Sequence, residues 1–281
     1  MTIAVKPLHP ALGAEIRGVD LREPLDPETF QEVHDAWMEH LVVVFPDQRI
    51  TGEEHVAFTR YFGEPEIFHQ SIIRSRAQKE IFRVSNVDDD GNLMPPSHPT
   101  VQQVSLAQLW HTDSSYRLMP CVEISRTGGE TQFINMYMVF DELSGSLKRQ
   151  VEGRRARHDF GNLHRLRDLK PLTEAEKAAM PPAWQPFVRR HPVTGRKSLY
   201  ISPIYNDAVE GMTESEAHRL IDDLTEFAAQ SRFMYKHRWE PDDVLMWDNR
   251  CTIHAVTPHD PTERRVMHRT TIMGDEPVLA A

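Results

Sequence analysis

Apolar residues along this chain fall into short runs, and the polar residues between them mark turns. Leu41-Val42-Val43-Val44-Phe45 is continuous and rich in β-branched valine, which predicts a strand buried on both faces. Residues 81–87 alternate with a period of two, as a strand does, and Val87-Asp88-Asp89-Asp90-Gly91-Asn92 supplies the turn that follows. Further strands are predicted over 130–136, 187–191, 197–202, 232–238, 244–247, 252–255 and 265–273. Pro192-Val193-Thr194-Gly195 joins the second and third of these as a hairpin.

Helical periodicity is confined to a few segments with legible starts. Asp26-Pro27-Glu28 reads as an N-cap with proline in the first turn, and Phe30, Val33 and Trp37 then share a face up to His40. Thr51 with Glu54 predicts a capping box for a helix through about Phe62, and a further helix is expected over 138–151. Thr173 and Glu176 start a short helix that stops at Pro181-Pro182. Thr213 and Glu216 start the clearest one, with Ala217, Leu220, Ile221, Leu224 and Phe227 along one side. Residues 93–108 carry two adjacent prolines and little periodicity, predicting a long loop of the kind that serves as a lid. Residues 154–170 are polar and basic and read as a short strand mixed with loop. No repeat or flexible linker divides the chain. The expectation is one domain over 1–281, mainly β: an antiparallel double-sheet barrel of jelly-roll type with helices on its outside.

Composition narrows the partners. A net charge of -10 argues against nucleic acid, because phosphate binding needs a basic face, and it makes any cluster of arginines more notable. Cys121 and Cys251 are too few for a disulfide framework and fit a reducing compartment. The first residues show no signal-peptide pattern, and no apolar run is long enough to span a membrane. A cytoplasmic protein is expected.

Candidate chemistry lies in residues far apart in sequence: His111-Thr112-Asp113, His254, Arg265 and Arg269. Two histidines and a carboxylate can hold one face of a ferrous ion and leave the opposite positions open. On a strand, His111 and Asp113 point the same way, and so do Arg265 and Arg269, a peculiar pairing unless an anion lies near them. Locally the bland readings stay open. Asp113 could cap a helix through Ser114-Ser115, His254 could be an ordinary core residue, and the arginines could be surface charges. Other chemistries have nothing to stand on: there is no glycine-rich phosphate loop, G-x-S-x-G, H-E-x-x-H or C-x-x-C.

Taken together, a set of motifs in order along nearly the whole chain resembles the taurine and 2,4-dichlorophenoxyacetate dioxygenases, non-haem iron enzymes dependent on 2-oxoglutarate. The set comprises Gly13-Ala14-Glu15-Ile16 to Asp20-Leu21, Phe45-Pro46-Asp47-Gln48, Trp110-His111-Thr112-Asp113-Ser114-Ser115 and Thr127-Gly128-Gly129-Glu130-Thr131. It continues with His191-Pro192-Val193-Thr194-Gly195-Arg196, Trp247-Asp248-Asn249-Arg250 to His254, and Arg264-Arg265 to His268-Arg269. Ser85-Asn86-Val87 and Lys236-His237-Arg238-Trp239 look closer to the phenoxyacetate branch.

The resemblance implies a double-stranded β-helix, with Fe(II) held by His111, Asp113 and His254. It implies 2-oxoglutarate as co-substrate, its distal carboxylate on Thr131 and Arg265, and dioxygen as oxidant. Arg269 would lie near the inner carboxylate or the anionic head of the prime substrate, and His69 is a candidate substrate contact. The reaction implied is hydroxylation of a small anionic, aryloxyalkanoate-like substrate with release of succinate and CO2. A taurine, alkylsulfonate or alkyl sulfate dioxygenase is the alternative within the family. A non-catalytic iron and 2-oxoglutarate binding protein, or a zinc hydrolase on the same ligands, would be rivals from other classes. A homo-oligomer, dimer or tetramer, is expected. One departure stands out. The interval from Asp113 to Thr131 is shorter than the family pattern by roughly half a dozen residues, about one strand's length. It predicts a truncated strand, or missing residues, around Pro120-Cys121-Val122-Glu123-Ile124.

Overall fold

Side-chain caps start the helices where the sequence places them. Asp26 accepts from the amides of Glu28 and Thr29 at the head of Pro27–His40. Thr51 with Glu54, Thr173 with Glu176 and Thr213 with Glu216 each form a reciprocal capping box. These observations come from a computed structural model that describes residues 2–67, 75–113, 121–126, 130–167, 169–260, 262–274 and 278–281, with the backbone alone at 103 and 121–126.

Along the described chain the first strands are β1 (Ala4–Pro7), β2 (Ala14–Arg17), β3 (Val42–Phe45), β4 (Phe82–Ser85), β5 (Cys121–Arg126), β6 (Thr131–Asn135), β7 (Arg155–His158) and β8 (Ala183–Pro186). There follow β9 (Val188–Arg190), β10 (Lys197–Leu199), β11 (Asn206–Val209), β12 (Met234–His237), β13 (Val244–Asp248), β14 (Thr252–Val256), β15 (Val266–Met273) and β16 (Leu279–Ala280). The helices are α1 (Pro27–His40), α2 (Gly52–Arg60), α3 (Pro99–Ser105), α4 (Met136–Glu142), α5 (Gly145–Val151), α6 (Phe160–Leu166), α7 (Glu174–Ala179) and α8 (Glu214–Ala228). Among the described residues no helix is long and apolar enough to cross a membrane.

The architecture is a jelly roll. A large sheet runs β1-β2-β3-β13-β5-β15-β4, antiparallel except where β2 meets β3. A smaller antiparallel sheet runs β12-β6-β14. Strand alternation builds the layers between and outside them. In β3, Val42 and Val44 pack with Phe133 of β6 and with Leu245 and Trp247 of β13, filling the space between the two sheets. Val43 and Phe45 point the other way, with Val244 and Met246, into a layer under α1 and α2 that holds Val33, Trp37 and Phe58. On the smaller sheet Phe133 faces inward, while Ile134 and Ile253 face outward onto α4 and α8 through Val139, Leu220 and Leu224. Each such large apolar side chain, fully withdrawn from water, contributes about 1.5–3 kcal/mol.

Four expectations need correction. Residues 93–108 are not one loop. They contain α3 and a 3-10 turn, Leu106–Gln108, and Pro99 begins the helix where its missing N–H costs nothing. The helix expected over 138–151 is two helices, because Ser144 recaps the chain on the amide of Leu147 after α4 ends. The stretch 154–170 contains α6, capped by Asp159, with Phe160 and Leu163 buried. The strand expected to be truncated is present. β5 has six residues and sits between β13 and β15 in the large sheet; its neighbours 114–120 and 127–129 lie outside the described residues.

Candidate metal centre

The site begins as a backbone pairing. His111 N donates to the carbonyl of His254 at 3.0 Å, and His254 N donates to that of His111 at 2.9 Å, an isolated antiparallel bridge on the edge of β14. Residues that exchange both hydrogen bonds lie directly opposite one another. The two imidazoles therefore meet, with ring centroids 4.3 Å apart. Thr112 is anchored the other way, its amide donating to Ser202 Oγ at 3.0 Å and its hydroxyl to the Ile201 carbonyl at 3.4 Å. With Thr112 pinned outward, His111 and Asp113 share the inward side, as their spacing predicts.

Inside, Asp113 meets both histidines. Its Oδ2 lies 3.0 Å from Nε2 of His254, and its Oδ1 lies 3.6 Å from Nε2 of His111. Two ligands cis on an octahedral ion, each about 2.1 Å from it, are roughly 3 Å apart. The donor set thus fits one metal ion with little adjustment. Nδ1 of His111 donates to the Leu109 carbonyl at 2.6 Å, which leaves Nε2 as the nitrogen able to coordinate. Burial first, and then the neighbouring His254, pushes His111 down to about 4. It is therefore neutral and able to bind metal at physiological pH. Both histidines are 4% exposed, so water competes little for their lone pairs.

The arginines occupy different places. Arg269 approaches Asp113 Oδ1 with its Nη1 at 3.1 Å, and its guanidinium lies over the Phe82 ring at 4.6 Å. Arg265 is buried, and among the described residues it lies within 4 Å of no carboxylate and its Nε has no hydrogen-bond partner. Burial alone pushes it down to about 10, so it is still charged at neutral pH. Asn86 clamps its backbone. Asn86 Oδ1 accepts from the Arg265 amide at 2.7 Å, and the Asn86 amide donates to the Arg265 carbonyl at 3.1 Å. Arg265 lines a cavity of about 230 Å³ whose walls also include Val84, Val101, Val104, Gln108, Val256 and His259. A buried cation with no carboxylate near it among the described residues, on a small cavity walled partly by valines, can receive an anion.

Thr131 is Cα partner to Val256 on one side and to His237 on the other, so it stands beside this cavity. Its hydroxyl accepts from Trp239 Nε1 at 3.0 Å. The structure therefore brings His111, Asp113, His254 and Arg269 together, with Arg265 and Thr131 next to a neighbouring cavity. His69 lies outside the described residues. Sequence reasoning missed the roles of Asn86, Ser202 and Trp239. Asn86 and Trp239 fall in motifs that carried the resemblance, while nothing in the sequence marked Ser202.

A second group of possible ligands, His191, Asp248 and Cys251, is better read as the lock on the β13–β14 turn. Burial would raise Asp248, but Arg250, at 2.7 Å, and His191, at 3.0 Å, hold it far below the usual carboxylate range. Burial pushes the Cys251 thiol well up, so it stays protonated and is a poor ligand. Arg189 donates to the carbonyls of Asn249 and Arg250 and stacks on Tyr200 at 3.6 Å. Fixing this turn fixes where β14 starts, and hence where His254 falls.

Comparison with known proteins agrees with this geometry. Residues 4–271 match the family described as taurine catabolism dioxygenase TauD, TfdA family. The chain belongs to that family, and it is an α-ketoglutarate-dependent dioxygenase, an enzyme of Fe(II), 2-oxoglutarate and dioxygen. It is 34% identical to the α-ketoglutarate-dependent 2,4-dichlorophenoxyacetate dioxygenase of Cupriavidus pinatubonensis, over 98% of this chain and 99% of the relative. It is also 34% identical to the (S)-phenoxypropionate/α-ketoglutarate-dioxygenase of Sphingobium herbicidovorans, over 96% of this chain and 95% of the relative. Among solved structures it superposes on AAD-2 in complex with Mn(II) and N-oxalylglycine with a TM-score of 0.90 and 34% identity, covering 100% of each chain.

Proposed function

We propose that His111, Asp113 and His254 hold Fe(II), that Arg265 and Thr131 receive the distal carboxylate of 2-oxoglutarate, and that the prime substrate is an aryloxyalkanoate. The observation that carries this reading is the buried Arg265, whose cavity is also lined by Val256, two residues on from His254 of the two-histidine, one-carboxylate cluster. A zinc hydrolase has no use for such a cation. Iron with bound 2-oxoglutarate supplies an oxidant able to hydroxylate a C–H bond. The chain's own residues do the rest. His111 and His254 offer neutral nitrogens from a rigid bridge, and Arg269 screens the Asp113 carboxylate. Arg269 also supplies positive charge beside the metal site, where the carboxylate of a small acid would be drawn.

Aryloxyalkanoates are favoured because the named activities of the two relatives above are on such acids. Hydroxylation at the carbon beside the ether oxygen gives a hemiacetal. For an aryloxyacetate this collapses to a phenol and glyoxylate; one oxygen atom of dioxygen has become the new hydroxyl, and the other enters 2-oxoglutarate as it is cleaved to succinate and CO2. The continuous family match supports reading the chain as one catalytic domain, and the net charge of -10 supports excluding nucleic acid as a partner.

The test is oxygen uptake with Fe(II) and 2-oxoglutarate against aryloxyacetates, 2-aryloxypropionates, alkylsulfonates and alkyl sulfates. Phenol release matched one for one by succinate supports the proposal. Sulfite or sulfate release with no phenol would overturn the substrate class. Binding of 2-oxoglutarate without oxygen uptake on any acid would make the protein a sensor.

A further inference from the structure

Thr131 carries a hydroxyl whose hydrogen is uncommitted and whose direction is set by something else. A hydroxyl has one donor and two acceptor positions. One acceptor position is taken by the indole N–H of Trp239 at 3.0 Å, in a pair that is buried on both sides. Among the described residues no acceptor takes the Thr131 hydrogen, while Thr131 is the strand partner of Val256, which lines the Arg265 cavity. The indole is itself held. Trp239 packs edge-on against His237, with ring centroids 4.7 Å apart and planes at 85°. His237 is fixed at both nitrogens, Nε2 to Asp243 Oδ2 at 3.1 Å and Nδ1 to the Tyr235 hydroxyl at 3.0 Å. Asp243 also accepts the Glu240 amide at 3.0 Å. All of these side chains are less than a tenth exposed, so bulk water does not compete for them.

We infer that Trp239 is a positioning residue for the co-substrate: its N–H fixes the Thr131 hydroxyl so that the O–H donates to the anion bound by Arg265. This rests on the reading that Thr131 and Arg265 take the distal carboxylate. Without the indole N–H the hydroxyl turns freely, and the anion must pay for ordering it. A hydrogen bond to a charged acceptor in a buried site is strong enough for the loss to be measurable. The Asp243–His237 pair acts one step further back, by keeping the indole in place.

The experiment measures binding of N-oxalylglycine to the Mn(II)-loaded protein by calorimetry, with no turnover involved. Wild type, Trp239→Phe, Thr131→Val and the double variant are compared, and oxalate serves as a chelator with no distal carboxylate. Trp239→Phe should weaken N-oxalylglycine by about five- to tenfold and leave oxalate unchanged. Thr131→Val should weaken N-oxalylglycine at least as much, and adding Trp239→Phe to it should do nothing further. If Thr131→Val weakens binding but Trp239→Phe does not, or if the tryptophan effect survives in full without the hydroxyl, the positioning role is wrong while the carboxylate site stands. If Thr131→Val binds N-oxalylglycine as wild type does, the carboxylate reading falls and takes the inference with it. Equal losses for oxalate and N-oxalylglycine in Trp239→Phe would mean general damage to the site and would also overturn it.

Discussion

Arg265→Met should make the ligand-free protein more stable and the ligand-bound protein no better. Burial lowers the guanidinium from its ordinary 12.5 to about 10. Each tenfold in proton affinity is worth about 1.4 kcal/mol, so holding this charge inside costs about 3 kcal/mol. At pH 7 the arginine is protonated both folded and unfolded, so the whole penalty is present; it fades only as pH climbs from 10 towards 12.5. Methionine has similar length and no charge to bury. A gain of this size raises the melting temperature of a chain this long by about 5 °C or more. The cost appears with the ligand, because removing one partner of a buried ion pair forfeits about 3–5 kcal/mol, about two to nearly four orders of magnitude in affinity. The assay is a thermal melt of Mn(II)-loaded protein with and without N-oxalylglycine. At a hundred times its dissociation constant the ligand adds about 2.7 kcal/mol to wild type, and it should add almost nothing to the variant. A variant that melts several degrees lower without ligand, yet still responds to it, would refute the reasoning. The charge would then be satisfied within the protein and would not be waiting for an anion.

Other outcomes follow from the same geometry. His111→Ala should abolish substrate-dependent succinate formation, and full turnover on an assay for succinate would remove His111 from the metal site. Ser202→Ala leaves the Thr112 amide without its acceptor, which should cost about 1–3 kcal/mol in a urea melt. The same change should weaken metal binding by about tenfold. His158 is fully buried, and among the described residues neither ring nitrogen has a hydrogen-bond partner. Burial first, then Arg189, lowers it to about 3. It folds neutral and charges on unfolding, so its stability contribution is complete above about 6.5 and drains away as pH falls towards 3. Between pH 6.5 and 5 wild type should lose about 2 kcal/mol from this residue, and His158→Phe should flatten that limb of the denaturation profile.

Much of the fold could be read from local chemistry. The capping pairs at Thr51, Thr173 and Thr213 and the valine run of β3 depend on neighbours in sequence, and the structure bears them out. Short elements escaped. α3 is a single polar-rich stretch behind two prolines, and the apolar face of α6 is only Phe160 and Leu163 among basic residues. β1 is exposed along its whole length, so it leaves no alternation to read. The order of strands in the large sheet is a long-range property that no window of sequence contains. In the site, the spacing of His111 and Asp113 was informative because a strand repeats every two residues. Their meeting with His254 came only from the resemblance. The bond from Trp239 to Thr131 spans 108 residues and left no local trace.

On the ligand set proposed above, the bridge between His111 and His254 would also make the metal a proofreader of folding. β14 lies against β6 with His254 opposite Phe133. A slip of one residue would turn Ile253 inward and send His254 out among the helices, because a strand's faces exchange with every step. Only the correctly aligned chain can close three ligands on one ion, so binding withdraws that alignment from the pool of competing ones. An ion present during refolding should therefore raise the yield of native protein, and not merely activate molecules already folded.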